Sequence, residues 1–371
     1  MLPLTLLLFL AYLLLVAQYT YWWSRVPDFY SAASKQKRRF TVLIAARNEE
    51  NNIGGLLMAL QGQQYPADLI EVIVIDDGST DETARIVQQY SFVTLLSLEK
   101  QTGAIGKKQA LTAGIRSARH EWILTTDADC LPPATWIDSI NDFLDQQAEL
   151  VCVVGPVTLS PTDGTLLHAF QRYDHLMFQG ITAAAVGSGQ HALGNGANLC
   201  YRKDAFEAVG GFEGIDQVAS GDDVLLIEKF MKDFPGKVQF LKSTRALVKT
   251  RPCETWAVLW QQRLRWISKA GQYKNIQLQF SQWITGGFNL VLLVQSLFCI
   301  WQPDLLKPTL ALWIFKAIAE WLLIGPVAAL YRERKNFMVF LFLQPLHVFY
   351  LVTLGLAGQG RKYQWKGRDV R

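Results

Sequence analysis

The chain has 371 residues, 50% of them hydrophobic and 18% charged, with a mean hydropathy of +0.13 and a formal net charge of +4. The charged fraction lies below the ~25% of an ordinary soluble domain, and residues 1–24, 276–303 and 336–360 contain no Asp, Glu, Lys or Arg. These features argue against a purely soluble enzyme, and without low-complexity tracts, Gly repeats or sustained heptads they exclude disorder, collagen and coiled coil.

The first apolar run predicts a helix over residues 2–23, within a membrane segment 1–24. Nothing basic precedes Arg25, so a cleaved signal is not expected. Tyr19, Tyr21, Trp22 and Trp23 form an aromatic belt before Arg25, Lys35, Lys37, Arg38 and Arg39. Aromatic residues followed by basic ones mark the cytoplasmic end of a span. The helix therefore starts outside, and the next domain lies in the cytoplasm, which suggests a cell inner membrane. Basic residues beside apolar segments are a topology signal and not a nucleic-acid footprint. The five cysteines are widely spaced, which fits a reducing compartment and offers neither a disulfide framework nor a zinc site.

From Phe40 short β-branched runs alternate with helical ones. Strands are predicted at Phe40–Ala45, Glu71–Ile75, Phe92–Leu96 and Trp122–Thr126, with helices at Asn51–Gln61, Asp81–Tyr90 and Lys107–Ala118. The alternation implies an α/β domain with parallel strands joined by right-handed crossovers. Ligands of such sheets bind beyond the carboxyl ends of the strands, and the carboxylates Glu49, Asp76, Asp77, Asp127 and Asp129 follow those ends. Each could equally serve a turn or cap: D-D-G-S-T-D (76–81) is also a tight turn, with Ser79 or Thr80 as N-cap. Several converging on one edge point to a cation-dependent anion site, since Mg²⁺ pairs one or two carboxylates with phosphate oxygens. G-A-I-G-K-K (103–108) lacks the spacing of a P-loop, and 187–196 lacks a dinucleotide fingerprint.

Eight motifs follow in order over residues 40–275. They are A-R-N-E-E (46–50), V-I-D-D-G-S-T-D (74–81), G-K-K-Q-A-L (106–111), T-D-A-D (126–129), G-N-G-A-N (194–198), V-G-G-F (209–212), S-G-D-D-V-L-L (220–226) and Q-R-L-R-W (262–266). Together they resemble glycosyltransferase family 2, the inverting enzymes of GT-A fold that use nucleotide sugars. The resemblance implies a GT-A catalytic domain over 36–252, a Rossmann-like mixed sheet with helices on both faces. It further implies that Glu49 and Asp77 hold uracil and ribose, with Lys107 near the nucleotide. Asp129 matches the metal ligand at the diphosphate, for Mg²⁺ or Mn²⁺, and Asp127 lies nearer the ribose and donor sugar. Asp223 matches the general base, beside Asp222 where most relatives carry Glu. Gln262, Arg265 and Trp266 match Q-x-x-R-W at the acceptor channel. Trp266 also reads as an interfacial tryptophan, beside Trp256 and Trp260 on an amphipathic helix over 255–272 within an interfacial segment 253–275.

Further spans are expected near 282–301, 309–331 and 337–357, inside a membrane region 280–358. Counting them leaves the basic tail 359–371 outside, against the positive-inside rule. Either Pro345 breaks the last segment into a re-entrant one or the tail is external, and a cytoplasmic tail is favoured. Lys316 and Glu320 read as an i,i+4 ion pair in the bundle or as a relay.

The expected activity is transfer of a sugar from a nucleotide sugar, a UDP-sugar by the resemblance, to a membrane lipid or glycan acceptor. A processive polysaccharide synthase is the alternative within the family. From another class, a non-catalytic membrane partner could retain the fold.

Overall fold

The computed structural model describes residues 2–31, 34, 36–98, 106–161, 164–215, 221–268, 273, 275–333, 337–358, 363–365 and 368–370. The chain forms two compact units. One comprises Met1–Arg25, Pro161–His191 and Pro252–Tyr363, the other Val26–Ser160, Ala192–Arg251 and Gln364–Arg371.

Helix α1 (Leu2–Arg25) opens the chain and belongs to the helical unit. The α/β unit begins with β1 (Phe40–Ala46), whose Phe40, Val42, Leu43 and Ile44 are fully buried. A run apolar on both faces is what a central parallel strand requires. After it come α2 (Ile53–Gln61), β2 (Ile70–Asp76), α3 (Thr83–Gln88), β3 (Val93–Ser97), α4 (Lys107–Ser117) and β4 (Trp122–Thr125). All four strands are parallel, as their alternation with helices predicts, and their order is β3-β2-β1-β4. The sequence order reverses at β1, so the crevice beside β1 and β4 is the topological switch point.

Beyond β4 the sheet becomes mixed. The strands β5 (Cys130–Leu131), β6 (Cys152–Val154), β7 (Val157–Leu159) and β8 (Leu199–Arg202) flank α5 (Trp136–Gln146) and α6 (Leu166–Ser188). Strand β8 runs antiparallel to both β4 and β6. Next come α7 (Lys203–Ala208), α8 (Asp222–Asp233), β9 (Val238–Phe240) and β10 (Val248–Thr250). Strand β9 closes the seven-stranded sheet, while β5, β10 and β7 form a second, smaller one.

Asn198, immediately before β8, ties the segments of this unit together. Its Oδ1 accepts from Trp136 Nε1 at 2.9 Å, and its Nδ2 donates to the carbonyls of Pro156 and Ala246, each at 2.8 Å. The amide packs so closely that a Cβ on Gly155 would lie 2.3 Å from it. Asn198→Ala would leave one buried donor and two buried carbonyls unpaired, at a cost of about 3 kcal/mol. A thermal-shift measurement should show the apparent melting temperature falling by roughly 6–12 °C. An unchanged melting temperature would assign the closure of this region to other contacts.

The helical unit contains α1, α6, α9 (Trp256–Ile267), α10 (Ile276–Phe298), α11 (Leu306–Leu330) and α12 (Phe337–Ala357). Its outer surface is apolar, unlike that of a water-soluble bundle, and its apolar core encloses a cluster of polar side chains. Leu7, Leu14, Trp283, Trp301, Ile314, Leu322 and Phe342 are exposed, while Gln171, Asn289, Gln295, Lys316, Glu320 and Gln344 are buried. Lys316 Nζ donates to Glu320 Oε1 at 2.6 Å and to Gln344 Oε1 at 2.7 Å. Glu320 Oε2 accepts from Tyr173 at 2.8 Å and Gln344 at 2.6 Å, and Tyr12 donates to Oε1. The expected i,i+4 pair is thus satisfied within a network spanning four helices.

Among the described residues, three helices are long and apolar enough to cross a membrane: Pro3–Arg25, Pro303–Leu330 and Met338–Ala357. Helix α10 occupies the segment read as a span near 282–301 and is 23 residues long, but Gln277, Gln279, Gln282, Asn289 and Gln295 keep it out of that group. Pro345 lies inside α12 without ending it. The re-entrant break that this proline suggests is therefore absent. Lys35, Arg334, Lys335 and the tail residues Arg361, Lys362, Lys366 and Arg371 lie outside the described residues.

Candidate active site

The site is built at the switch point of the α/β unit, where strand ends and helix starts supply short backbone segments with charged side chains. Asp76 ends β2, and Asp77 follows with its N–H donating to the Ala46 carbonyl at the end of β1 (2.9 Å). Asp77 is 2% exposed. Its Oδ1 accepts the Gly106 N–H at 3.0 Å, which holds the start of α4. Arg47 Nη1 donates to the carbonyls of Asp77 (2.7 Å) and Gly78 (3.1 Å), bracing the same turn. Glu49 stands partly exposed nearby, with Oε2 accepting from Asn52 Nδ2 at 2.7 Å and its own N–H on Thr83 Oγ1 at 2.7 Å.

The turn does not cap α3 as the sequence suggests. Neither Ser79 nor Thr80 is the N-cap: the Ser79 N–H donates to Asp76 Oδ1 and the Thr80 N–H to Asn48 Oδ1. Asp81 receives the Thr83 N–H at 3.0 Å instead, and the helix starts three residues later than Thr80. Asn48, at φ 51°, takes a left-handed conformation that asparagine tolerates.

Lys107, the first residue of α4, lies at the centre of the acidic cluster. Its Nζ is 2.7 Å from Asp127 Oδ1 and 3.5 Å from Asp222 Oδ2. Burial alone would lower the ammonium, but the charges of Asp127, Asp222 and Asp223 outweigh it and hold Lys107 above its ordinary value. Lys108 points elsewhere, donating to the Ile215 carbonyl.

Asp127 and Asp129 are carried by the turn between β4 and β5, where the Cys130 N–H donates to the Asp127 carbonyl at 3.0 Å. Cys130 pairs with Thr250 in the second sheet, which fixes that turn from the other side. Among the described residues, Asp127, Asp129 and Cys130 are the group able to hold a metal, their ligand atoms lying within 4.8 Å of one another. The carboxylate pair suits a hard divalent cation. Cys130 does not, because burial, followed by the Asp129 and Asp127 charges, pushes its thiol well above the usual range. Cys130 follows directly in T-D-A-D-C, which places it next to the cluster in the sequence as well.

Asp222 and Asp223 occupy the first turn of α8, where the helix dipole favours carboxylates. The N-cap itself is Gly221. Asp222 is buried and faces Lys107, whereas Asp223 is partly exposed. Asp223 Oδ2 accepts the Gly196 N–H at 2.9 Å and Oδ1 the Val224 N–H at 2.8 Å, which leaves a fixed carboxylate. Gly196 explains part of G-N-G-A-N: a Cβ there would meet Lys107 Nζ at 3.4 Å, Asp222 Oδ2 at 3.6 Å and Asp223 Cβ at 3.7 Å. Ser220 of S-G-D-D and residues 103–105 lie outside the described residues.

Lys107, Asp127, Asp222 and Asp223 are therefore brought together, with Asp129 beside Asp127 and Asp77 accepting the N–H of Gly106, the residue before Lys107. Residues 41–210 match the family described as glycosyl transferase family 2. They form a glycosyltransferase family 2 domain. The probable glycosyltransferase YdaM of Bacillus subtilis (strain 168) is 28% identical over 244 residues, 64% of this chain and 56% of that protein. The 4,4'-diaponeurosporenoate glycosyltransferase of Staphylococcus aureus (strain USA300) is 41% identical over 93 residues, 25% of this chain and 24% of its own length. The chain thus spans about half or less of the length of these relatives. Among solved structures, the mannosyltransferase PcManGT from Pyrobaculum calidifontis, in complex with GDP-Man and Mn²⁺, superposes with a TM-score of 0.59 at 20% identity. That match covers 96% of this chain and 99% of that one. The fold is GT-A.

Gln262, Arg265 and Trp266 belong to the helical unit, on α9. The helix ends at Ile267, and residues 269–272 lie outside the described ones. Its N-cap is Thr255, whose side chain accepts from the Val258 N–H at 3.2 Å. Gln262 Oε1 accepts from Arg263, and Trp266 packs 5.6 Å from the ring of Phe178.

Proposed function

We propose that this protein is a membrane-bound, inverting glycosyltransferase that moves a sugar from a nucleotide sugar, of UDP type, to a membrane lipid. The observation that carries this reading is the convergence of Lys107, Asp127, Asp129, Asp222 and Asp223 at the switch point of a GT-A domain. Carboxylates alone would repel a diphosphate, so the cluster calls for a cation. Bound at Asp129 and Asp127, Mg²⁺ or Mn²⁺ would supply positive charge against the leaving diphosphate. Lys107 adds a fixed positive charge next to the same groups. Asp77 and Glu49 carry the nucleoside contacts.

Asp223 is the general base. It is the more exposed of the two first-turn carboxylates, and backbone N–H groups fix both of its oxygens. It accepts the proton of the acceptor hydroxyl as that oxygen attacks the anomeric carbon in line with the departing nucleoside diphosphate. One displacement inverts configuration. Gln262, Arg265 and Trp266 are the sugar-facing groups of α9. Domain roles follow: 36–252 for catalysis, 253–275 for the interfacial helix, and 1–24 with 280–358 for the membrane. The catalytic domain lies on the cytoplasmic side of the inner membrane, with the basic tail 359–371 on that side.

The lipid acceptor is argued from the apolar outer surface of the helical unit, where Leu7, Leu14, Trp283, Ile314 and Phe342 are exposed. Mass spectrometry of lipid extracts from cells with and without the protein tests it. A lipid gaining one hexose or N-acetylhexosamine mass supports single transfer. A polymer would replace this reading with processive synthesis, and an unchanged lipid profile alongside a glycosylated soluble product would remove the lipid.

A further inference from the structure

Arg263 has no role in the Q-x-x-R-W pattern, yet in the helical unit it contacts both Gln262 and Trp266 of that motif. It is 7% exposed. Its Nε and Nη2 donate to Asp174 Oδ2 at 2.9 and 2.6 Å, and its Nη1 donates to Gln262 Oε1 at 2.5 Å. The Cζ of the guanidinium lies over the Trp266 ring, 4.1 Å from its centre. Asp174 is held in turn by α6, and its Oδ1 lies 3.7 Å from His347 Nε2 of α12.

A buried guanidinium must have its donors matched, or desolvation makes it costly. Here one rigid fork does so while gripping two side chains on one face of α9. Gln262 and Trp266 are four residues apart, hence neighbours on the helix surface. Unrestrained, each would sample several rotamers. The guanidinium fixes Gln262 through its carbonyl oxygen, so the donors of its amide N–H₂ are not used in that contact. It also fixes the indole plane from behind, by a contact that Lys cannot reproduce because its ammonium is a point charge without a planar face.

We propose that Arg263, anchored by Asp174, is a positioning residue that holds Gln262 and Trp266 in the conformation in which they meet a sugar. This rests on the reading of Gln262 and Trp266 as sugar-facing groups. Arg263→Lys retains a positive charge for Asp174 but loses the fork and the stacking face. It should therefore fold and still fail to position.

The test uses the full-length protein in lipid nanodiscs, labelled with 5-fluorotryptophan, with the Trp266 fluorine resonance assigned by Trp266→Phe. Arg263→Lys is expected to move or broaden that resonance. It should also raise the KM for whichever of UDP-glucose, UDP-N-acetylglucosamine and GDP-mannose the wild type turns over by about tenfold or more. Binding of UDP and GDP with Mn²⁺, and the melting temperature, should stay near wild type. Asp174→Asn, which keeps Arg263 and weakens its anchor, should shift the same resonance and serves if the Arg263 variant does not fold. An unmoved Trp266 resonance in both variants would overturn the proposal. If Trp266→Ala abolishes transfer while Arg263→Lys leaves KM unchanged, positioning fails and the motif reading stands. If Trp266→Ala itself leaves transfer unchanged, the motif reading fails first.

Discussion

Asp223→Asn is expected to lower sugar transfer by at least the ~10²–10⁴-fold that general-base catalysis contributes, with nucleoside diphosphate binding nearly unchanged. The substitution keeps size and one acceptor oxygen but removes the capacity to take a proton. It also places an amide where two backbone N–H groups, of Gly196 and Val224, now donate. One of these bonds is lost, at about 1 kcal/mol of stability, too little to unfold the domain. A purely structural carboxylate would show that modest loss of stability and little loss of turnover. A folded Asp223→Asn protein with near-normal turnover would move the base elsewhere. Asp222 is the first candidate, although its burial and its contact with Lys107 suit it better to holding that lysine.

Asp129→Ala is expected to abolish measurable transfer, a fall of about 10²-fold or more, and to remove Mn²⁺ binding seen by electron paramagnetic resonance. Asp127 alone cannot replace it, because Lys107 already sits 2.7 Å from that carboxylate and competes for its charge. Without the second ligand the diphosphate would face a cluster of carboxylates with one ammonium between them. Full activity in excess chelator would contradict the metal assignment and with it the reading of T-D-A-D.

Much of this domain is legible in the sequence because its information is local. Strands β1, β2 and β4 are mostly apolar runs buried on both faces, and carboxylates lie at or within three residues of their ends. The helix over Lys107–Ser117 is bounded by Gly106 before it and an extended residue, Ala118, after it. What escapes is information held by distant partners. Strands β6, β8 and β9 are three or four residues long and exist because neighbours complete their ladders, so nothing in their own composition signals the antiparallel β8. Asn198 reads as part of a glycine-rich loop, yet its value lies in Trp136, Pro156 and Ala246, each more than forty residues away or in another segment. Pro345 reads as a helix breaker, but a long apolar helix tolerates a proline where neighbouring groups satisfy the freed carbonyl. Arg263 falls on an unnamed position of Q-x-x-R-W, and its burial depends on Asp174, which comes from a different helix.

The measurement that bears most directly on the central claim is nucleoside diphosphate release by the purified full-length protein in nanodiscs. The reactions would contain Mg²⁺ or Mn²⁺, membrane lipids, and UDP-glucose, UDP-galactose, UDP-N-acetylglucosamine or GDP-mannose in turn. Release that depends on one donor, lipid and metal together, and that Asp223→Asn suppresses, is the predicted result. Absence of release across the whole panel, by a protein that still binds nucleoside diphosphate, would contradict it and favour a membrane partner that keeps the fold without the chemistry.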